Sequence, residues 1–297
     1  MDRQTKAYLY AGTAVLMWST VASAFKVSLR YVEVPHMLLY ATLVSTLVFL
    51  VVAAWQQKLG QVFSCTPKQY LRSAALGFLN PFLYYLVLFE AYDRLPAQEA
   101  QPLNYTWPVV VVILSVPLLK QPIGRVSLAA ILVSFFGVLV ISTRGDLLGF
   151  RFDDPLGTGL AVGSAFIWAT FWLTNVRDRR DEVVKLLLSF SFGLVFVTIA
   201  AFILVGPPPL DLRGIGGSAY AGVFEMGITF VLWMRALSLS RTTAQVSNLV
   251  FLSPFVSLAL ITVIVGETIL LSSIIGLVFI IGGIVIRRFD RTVPQST

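Results

Sequence analysis

The chain has 297 residues, of which 57% are hydrophobic and only 12% are charged. Soluble globular domains carry about 25% charged residues, so this composition cannot cover a water-facing surface, and lipid must meet much of the outer face. The net charge of +7 does not indicate nucleic-acid binding, because most Lys and Arg fall between apolar runs and no basic-aromatic module is present.

Ten stretches are long and apolar enough to span a bilayer: 7–28, 36–55, 70–90, 97–119, 124–142, 156–176, 184–205, 214–239, 243–265 and 270–287. Arg3 and Lys6 precede the first without a small-residue cleavage site, which predicts a retained helix rather than a signal peptide. The connections are short and carry breakers and charge, as in Pro207-Pro208-Pro209 and Arg177-Asp178-Arg179-Arg180-Asp181. With a cytoplasmic N-terminus, fifteen Lys and Arg fall inside and five outside, while Lys26 and Arg235 lie within spans. The positive-inside bias therefore puts both termini in the cytoplasm. The expected fold is an all-α membrane protein of ten transmembrane helices.

The chain also divides into halves, 1–145 and 150–290. Trp18-Ser19-Thr20 in the first span corresponds to Trp168-Ala169-Thr170 in the sixth, 150 positions later. Pro108 and Pro254, in spans four and nine, and Gly137 and Gly283, in spans five and ten, share a spacing of 146. Five spans per half is odd, so a second copy must be inverted, as in many secondary transporters.

These residues carry a family resemblance. Pro254, Gly266-Glu267, Gly276 and Gly282-Gly283 in the second half, with Pro108, Gly124 and Gly137 in the first, resemble the EamA family of the drug/metabolite transporter superfamily. Gln121 stands where the family often has Glu. Within the family, Trp18-Ser19-Thr20, Ala97-x-Glu99, Asn104-Tyr105-x-Trp107-Pro108, Phe166-Ile167-Trp168-Ala169 and Thr174-Asn175 are similar to bacterial aromatic amino acid exporters. The resemblance implies ten helices, alternating access and a central cavity.

Several side chains are candidates for lining such a cavity. Trp18, Trp107 and Trp168 lie near the middle of their spans, and Tyr84 is well inside the third. They suit an aromatic wall for a flat or cationic ligand; the alternative is plain helix packing. Trp55 and Trp233, near span ends, read as interfacial anchors. Asn80 precedes Pro81, and Asn104 and Asn248 precede Pro108 and Pro254, so amides sit beside disturbed turns. They serve either the ligand or helix–helix contact. Glu225 is about 12 residues from either end of the eighth span, where an acid is costly and functional by default. It either binds a substrate ammonium or carries a proton. Lys26, Glu90 and Glu99, with Asp93 and Arg94, fall near outer span ends, as a gate of breakable ion pairs or as snorkelling charges.

The expected activity is secondary export of a small metabolite, amino acids including aromatic ones, across a bacterial inner membrane. The alternative is transport of organic cations such as choline. With a single His36 and a single Cys65, the usual catalytic and metal-binding constellations are absent, so neither an enzyme nor a cofactor is expected. The expected partners are the small-molecule substrate, the lipid bilayer and, if Glu225 titrates, protons, with no nucleic acid.

Overall fold

The computed structural model describes residues 2–119, 124–149, 153–175, 177–240 and 248–287. The described residues form helices, turns and loops, with no strand among them. In chain order the helices are α1 (Arg3–Ser28), α2 (Val34–Trp55), α3 (Leu59–Phe63), α4 (Pro67–Gly77), α5 (Tyr84–Arg94), α6 (Ala97–Asn104), α7 (Trp107–Leu119) and α8 (Arg125–Ser142). They continue with α9 (Pro155–Asn175), α10 (Glu182–Leu204), α11 (Leu212–Phe224), α12 (Ile228–Leu239), α13 (Ser253–Ile264) and α14 (Leu271–Arg287). Six helical stretches are long and apolar enough to cross a membrane, and shorter apolar helices at Leu249–Ile264 and Leu271–Ile286 accompany them. Expected span 243–265 begins outside the described residues, and Gln121 lies outside them too.

Three long rods are interrupted, two of them beside a proline. A π-helical segment, Phe78–Leu83, joins α4 to α5; within it Asn80 is extended at φ −147° and ψ 121°, just before Pro81. Pro disfavours helical backbone at the preceding residue. Between α6 and α7 the chain turns at Tyr105 and Thr106, and Pro108 becomes the second residue of α7. Pro254 has the same place in α13, after a 3₁₀ turn at Asn248–Leu252. In the first turn of a helix the missing N–H of proline costs nothing. The third rod, Leu212–Leu239, breaks at Glu225–Gly227, between α11 and α12.

Small residues let the rods approach closely. α8 runs antiparallel to α14, with the Ser134 hydroxyl donating to the Ile280 carbonyl at 3.1 Å. A Cβ on Gly137 would stand 2.5 Å from the Gly276 carbonyl oxygen, and one on Gly283 2.5 Å from that of Ala130. Gly77 and Gly193 bring α4 equally close to α10. Without a hydrophobic drive between helices in lipid, such contact is a main source of association.

One end of the bundle is tied by charges. Asp181 caps α10 through the N–H groups of Val183 and Val184 and pairs with Lys58 at 2.7 Å. Arg180 donates to Asp178 at 2.6 Å and to the Ser73 hydroxyl at 2.9 Å, joining α4 to the α9–α10 loop. Lys185, fully buried, donates to the Asp178 carbonyl at 2.9 Å and to Glu182 at 2.7 Å.

Replacing Gly137 with Ala should push α8 from α14 and destabilise the protein by roughly 1–3 kcal/mol. Gly12→Ala, where nothing lies within 4 Å of the added carbon, should not. Thermal melts in detergent compare the two.

Asp178 gives a second test. Burial pushes its carboxyl up, but hydrogen bonds from the Arg180 side chain and backbone, with the charges of Arg180 and Arg72, outweigh burial and hold it below the usual range. A group depressed on folding stabilises the protein above its unfolded value of about 3.9 and loses that contribution as pH falls through the folded value. The melting temperature should therefore drop as pH falls below about 4. Asp178→Asn should remove that part of the acid dependence.

Candidate functional site

The aromatic side chains of the middle of the bundle form one continuous cluster. Trp168 on α9 stacks on Tyr84 of α5 at 4.7 Å between centroids and on Phe171 at 5.6 Å. Its edges meet Trp172 at 6.0 Å and Phe230 of α12 at 5.9 Å. Phe230 meets Trp18 of α1 at 6.4 Å, and Trp18 lies 5.2 Å from Trp233. Tyr84 also contacts Tyr85 at 4.6 Å. Offset and edge-to-face pairs of this kind add about 0.5–1.5 kcal/mol each beyond area burial.

Polar groups enter the cluster at defined points. The Tyr84 hydroxyl donates to Asn104 Oδ1 at 3.4 Å, and Asn104 Nδ2 donates to the Ser164 hydroxyl at 2.8 Å. The Ser164 hydroxyl donates to the Ala161 carbonyl at 2.6 Å. Asn104 thus holds α5, α6 and α9 together with its amide engaged. The Tyr85 hydroxyl donates to Glu225 Oε1 at 3.2 Å across to the α11–α12 break. The other carboxylate oxygen, Oε2, is buried without a hydrogen-bond partner.

Of the residues singled out from sequence, Trp18, Tyr84, Asn104, Trp168 and Glu225 are thus joined by a chain of contacts. Trp107 is half-buried between the main core and the small cluster of Val110, Ala165 and Ala169, and makes no ring–ring contact among the described residues. Asn80, wholly buried, lies four residues before Tyr84, in the interrupted segment that packs on α9 and α10. Asn248 opens the 3₁₀ turn before α13, and its side chain lies outside the described residues.

Trp233 corrects an expectation. Its position near a span end suggested an interfacial anchor, but it is 7% exposed and packs on Trp18. The helix turns its ring inward, which distance from the span end cannot register. Tyr85, Ser164 and Phe230 were not among the sequence candidates; Tyr85 packs on Phe89 and turns its hydroxyl to Glu225, where its neighbour Tyr84 meets Trp168 and Asn104.

The charged residues at the far end from Asp178 do not pair as a set. Lys26 Nζ donates to the carbonyls of Tyr92 at 2.6 Å and Leu95 at 2.9 Å. Glu90 forms a local pair with Arg94 at 2.8 Å, beside a cavity of about 490 Å³ that Glu33 and Asp93 also line. Glu99, 3% exposed, accepts from Arg144 at 2.8 Å, and Arg144 also pairs with Asp153. Lys26, Glu90 and Glu99 are therefore not in contact with one another. A residue outside the expected set does close this end: Glu267 accepts from the backbone N–H groups of Ala97 at 2.8 Å and Gln98 at 3.2 Å, capping α6. Gln98 in turn holds Thr268, Leu270 and Ser273. Gly266 precedes it with φ +80°, a conformation that favours glycine.

Comparison with known proteins agrees with the helical membrane architecture. The model of the EamA-like transporter family matches residues 5–143 and again 155–288. An uncharacterized transporter of Clostridium kluyveri is 29% identical over 181 residues, 57% of this chain and 56% of that one, so the match spans little more than half of that relative. An aromatic amino acid exporter, YddG of Ancylobacter novellus, is 27% identical over 235 residues, 77% of this chain and 79% of that one. A solved crystal structure superimposes with a TM-score of 0.65, covering 96% of this chain and 99% of that chain at 21% identity, which speaks to the fold.

The two candidate tryptophans should separate in mutagenesis. Trp168→Ala removes the centre of the aromatic cluster and should cost about 3–5 kcal/mol of stability. Trp107→Ala, half-buried and outside the ring network, should cost less. Melting temperatures in detergent measure the difference, and equal losses would dissolve the distinction.

Proposed function

The chain belongs to the EamA-like transporter family, and from that premise we propose that it exports amino acids, aromatic ones included, across a bacterial inner membrane. It is a transporter rather than an enzyme. The substrate binds midway through the bundle against Trp168, Tyr84 and Trp18, with its ammonium on Glu225. The observation that carries this reading is Glu225 itself. It stands at the middle of a 28-residue apolar rod, beside a helix break and an aromatic cluster, with one carboxylate oxygen buried and unpartnered. No cation pairs with it among the described residues. A ligand ammonium would supply the missing charge, and aromatic faces would support it.

The architecture we propose is ten membrane spans in two inverted repeats, 1–145 and 150–290, with both termini cytoplasmic. The family model matching twice supports it, and so does internal symmetry. The approach of Gly137 to the Gly276 carbonyl repeats as that of Gly283 to the Ala130 carbonyl, each residue exchanging with one 146 positions away. Ser134, bonded to Ile280, also lies 146 positions from its partner, which puts the pair on the pseudo-twofold axis. Such an axis between repeats is the usual frame for alternating access around a midplane site. In this frame the Asp178 cluster is cytoplasmic and the Glu267 cap faces outward.

An organic cation remains the second reading, because the same aromatic wall and carboxylate would suit it. Counterflow into proteoliposomes with amino acids and quaternary amines tests both. Amino acids should exchange, and Glu225→Gln should weaken that exchange by about tenfold or more at every pH, as loss of a charge-assisted contact requires. Retained exchange with loss of pH-driven accumulation would reassign Glu225 to carrying protons. Exchange of amines alone would overturn the amino acid reading.

A further inference from the structure

Glu225 has a symmetry mate. The rods Pro67–Arg94 and Leu212–Leu239 are both 28 residues long; Asn80 is the fourteenth residue of the first and Glu225 the fourteenth of the second. Both residues sit where their rods break. Three positions earlier in each rod a glycine presses on a backbone carbonyl, Gly77 on Ser189 and Gly222 on Ala41. The two sites are thus equivalent in sequence spacing, in backbone interruption and in packing.

Asn80 is also chemically unexplained. It is 0% exposed, and its Oδ1 and Nδ2 are both buried without a hydrogen-bond partner; no other side chain among the described residues has two such atoms. Burying an amide unpaired is costly, and a merely structural residue there would be better replaced by Leu. Packing does not require the amide; Asn104 is already engaged by Tyr84 and Ser164, and Gln101, on α6, leaves only its Oε1, an acceptor that cannot receive a carboxylate, without a partner. The segment that holds Asn80 packs on α9, the helix of Trp168, and leads directly into Tyr84, whose ring reaches Trp168, and Tyr85, which reaches Glu225.

Resting on the amino acid reading above, we infer that Asn80 is a specificity-determining residue. Its amide N–H receives the carboxylate of the substrate while Glu225 holds the ammonium. An amine lacking the carboxylate would use only the Glu225 pole. The amide is enclosed in the present conformation, so the contact forms when the repeats move to admit the substrate.

The test compares tryptophan with tryptamine, which share the indole and ammonium and differ in the carboxylate. Parent, Asn80→Leu and Glu225→Gln proteins are reconstituted and the exchange of each compound is measured. Asn80→Leu should lose about tenfold or more in tryptophan exchange, keep tryptamine exchange within about threefold, and melt no lower than the parent. Glu225→Gln should weaken both compounds. Should the Leu variant fail to fold, Asn80→Asp preserves size and should reject tryptophan more strongly than tryptamine. Equal losses on the two compounds, or none, overturn the inference while leaving the amino acid reading intact. A parent that exchanges tryptamine but not tryptophan, or neither, overturns both.

Discussion

A backbone that stops being helical inside a membrane exposes N–H and C=O groups that lipid cannot satisfy. Everything distinctive about this molecule follows from where that cost is accepted. The interruptions at Asn80, at Tyr105–Thr106, at Glu225–Gly227 and before Ser253 lie within rods that are otherwise apolar. The proline positions keep the loss small, since Pro108 and Pro254 start new helical segments instead of sitting within old ones. Concentrating the irregular backbone at mid-depth is what makes room for polar side chains there.

The rods can tolerate these breaks because their packing elsewhere is tight. Glycines at the α8–α14 and α4–α10 contacts replace side-chain interdigitation with backbone proximity. The aromatic cluster then fills the space between rods that the breaks hold apart.

Much of this was legible in the sequence, and the remainder has a physical reason. The depth of Glu225 follows from counting residues, and the breaks near Pro81, Pro108 and Pro254 follow from the chemistry of proline. Trp18, Tyr84 and Trp168 were marked by depth alone, and they do converge. Depth fails where rotation matters. Trp233 read as an anchor because only its distance from the span end was visible, whereas its ring packs inward on Trp18. Charges at one end looked like mutual partners, whereas Lys26 found carbonyls and Glu99 found Arg144. Helix rotation is set by tertiary packing, to which an almost uniformly apolar sequence gives few clues. The pairing of Glu267 with α6 was hidden for another reason: its partners are backbone N–H groups, which every sequence has.

That last point separates the two ends of the bundle in evolutionary terms. The Asp178 end depends on the identity of pairs such as Arg180 with Asp178 and Lys58 with Asp181. A change in one partner there must be answered by a change in the other. At the opposite end Glu267 and Lys26 grip the main chain of Ala97, Gln98, Tyr92 and Leu95, so Ala97, Tyr92 and Leu95 can drift without breaking the grip, while the side chain of Gln98 adds bonds of its own. Across diverging relatives, the first end should record its history as correlated substitutions and the second as isolated, invariant charges among variable neighbours.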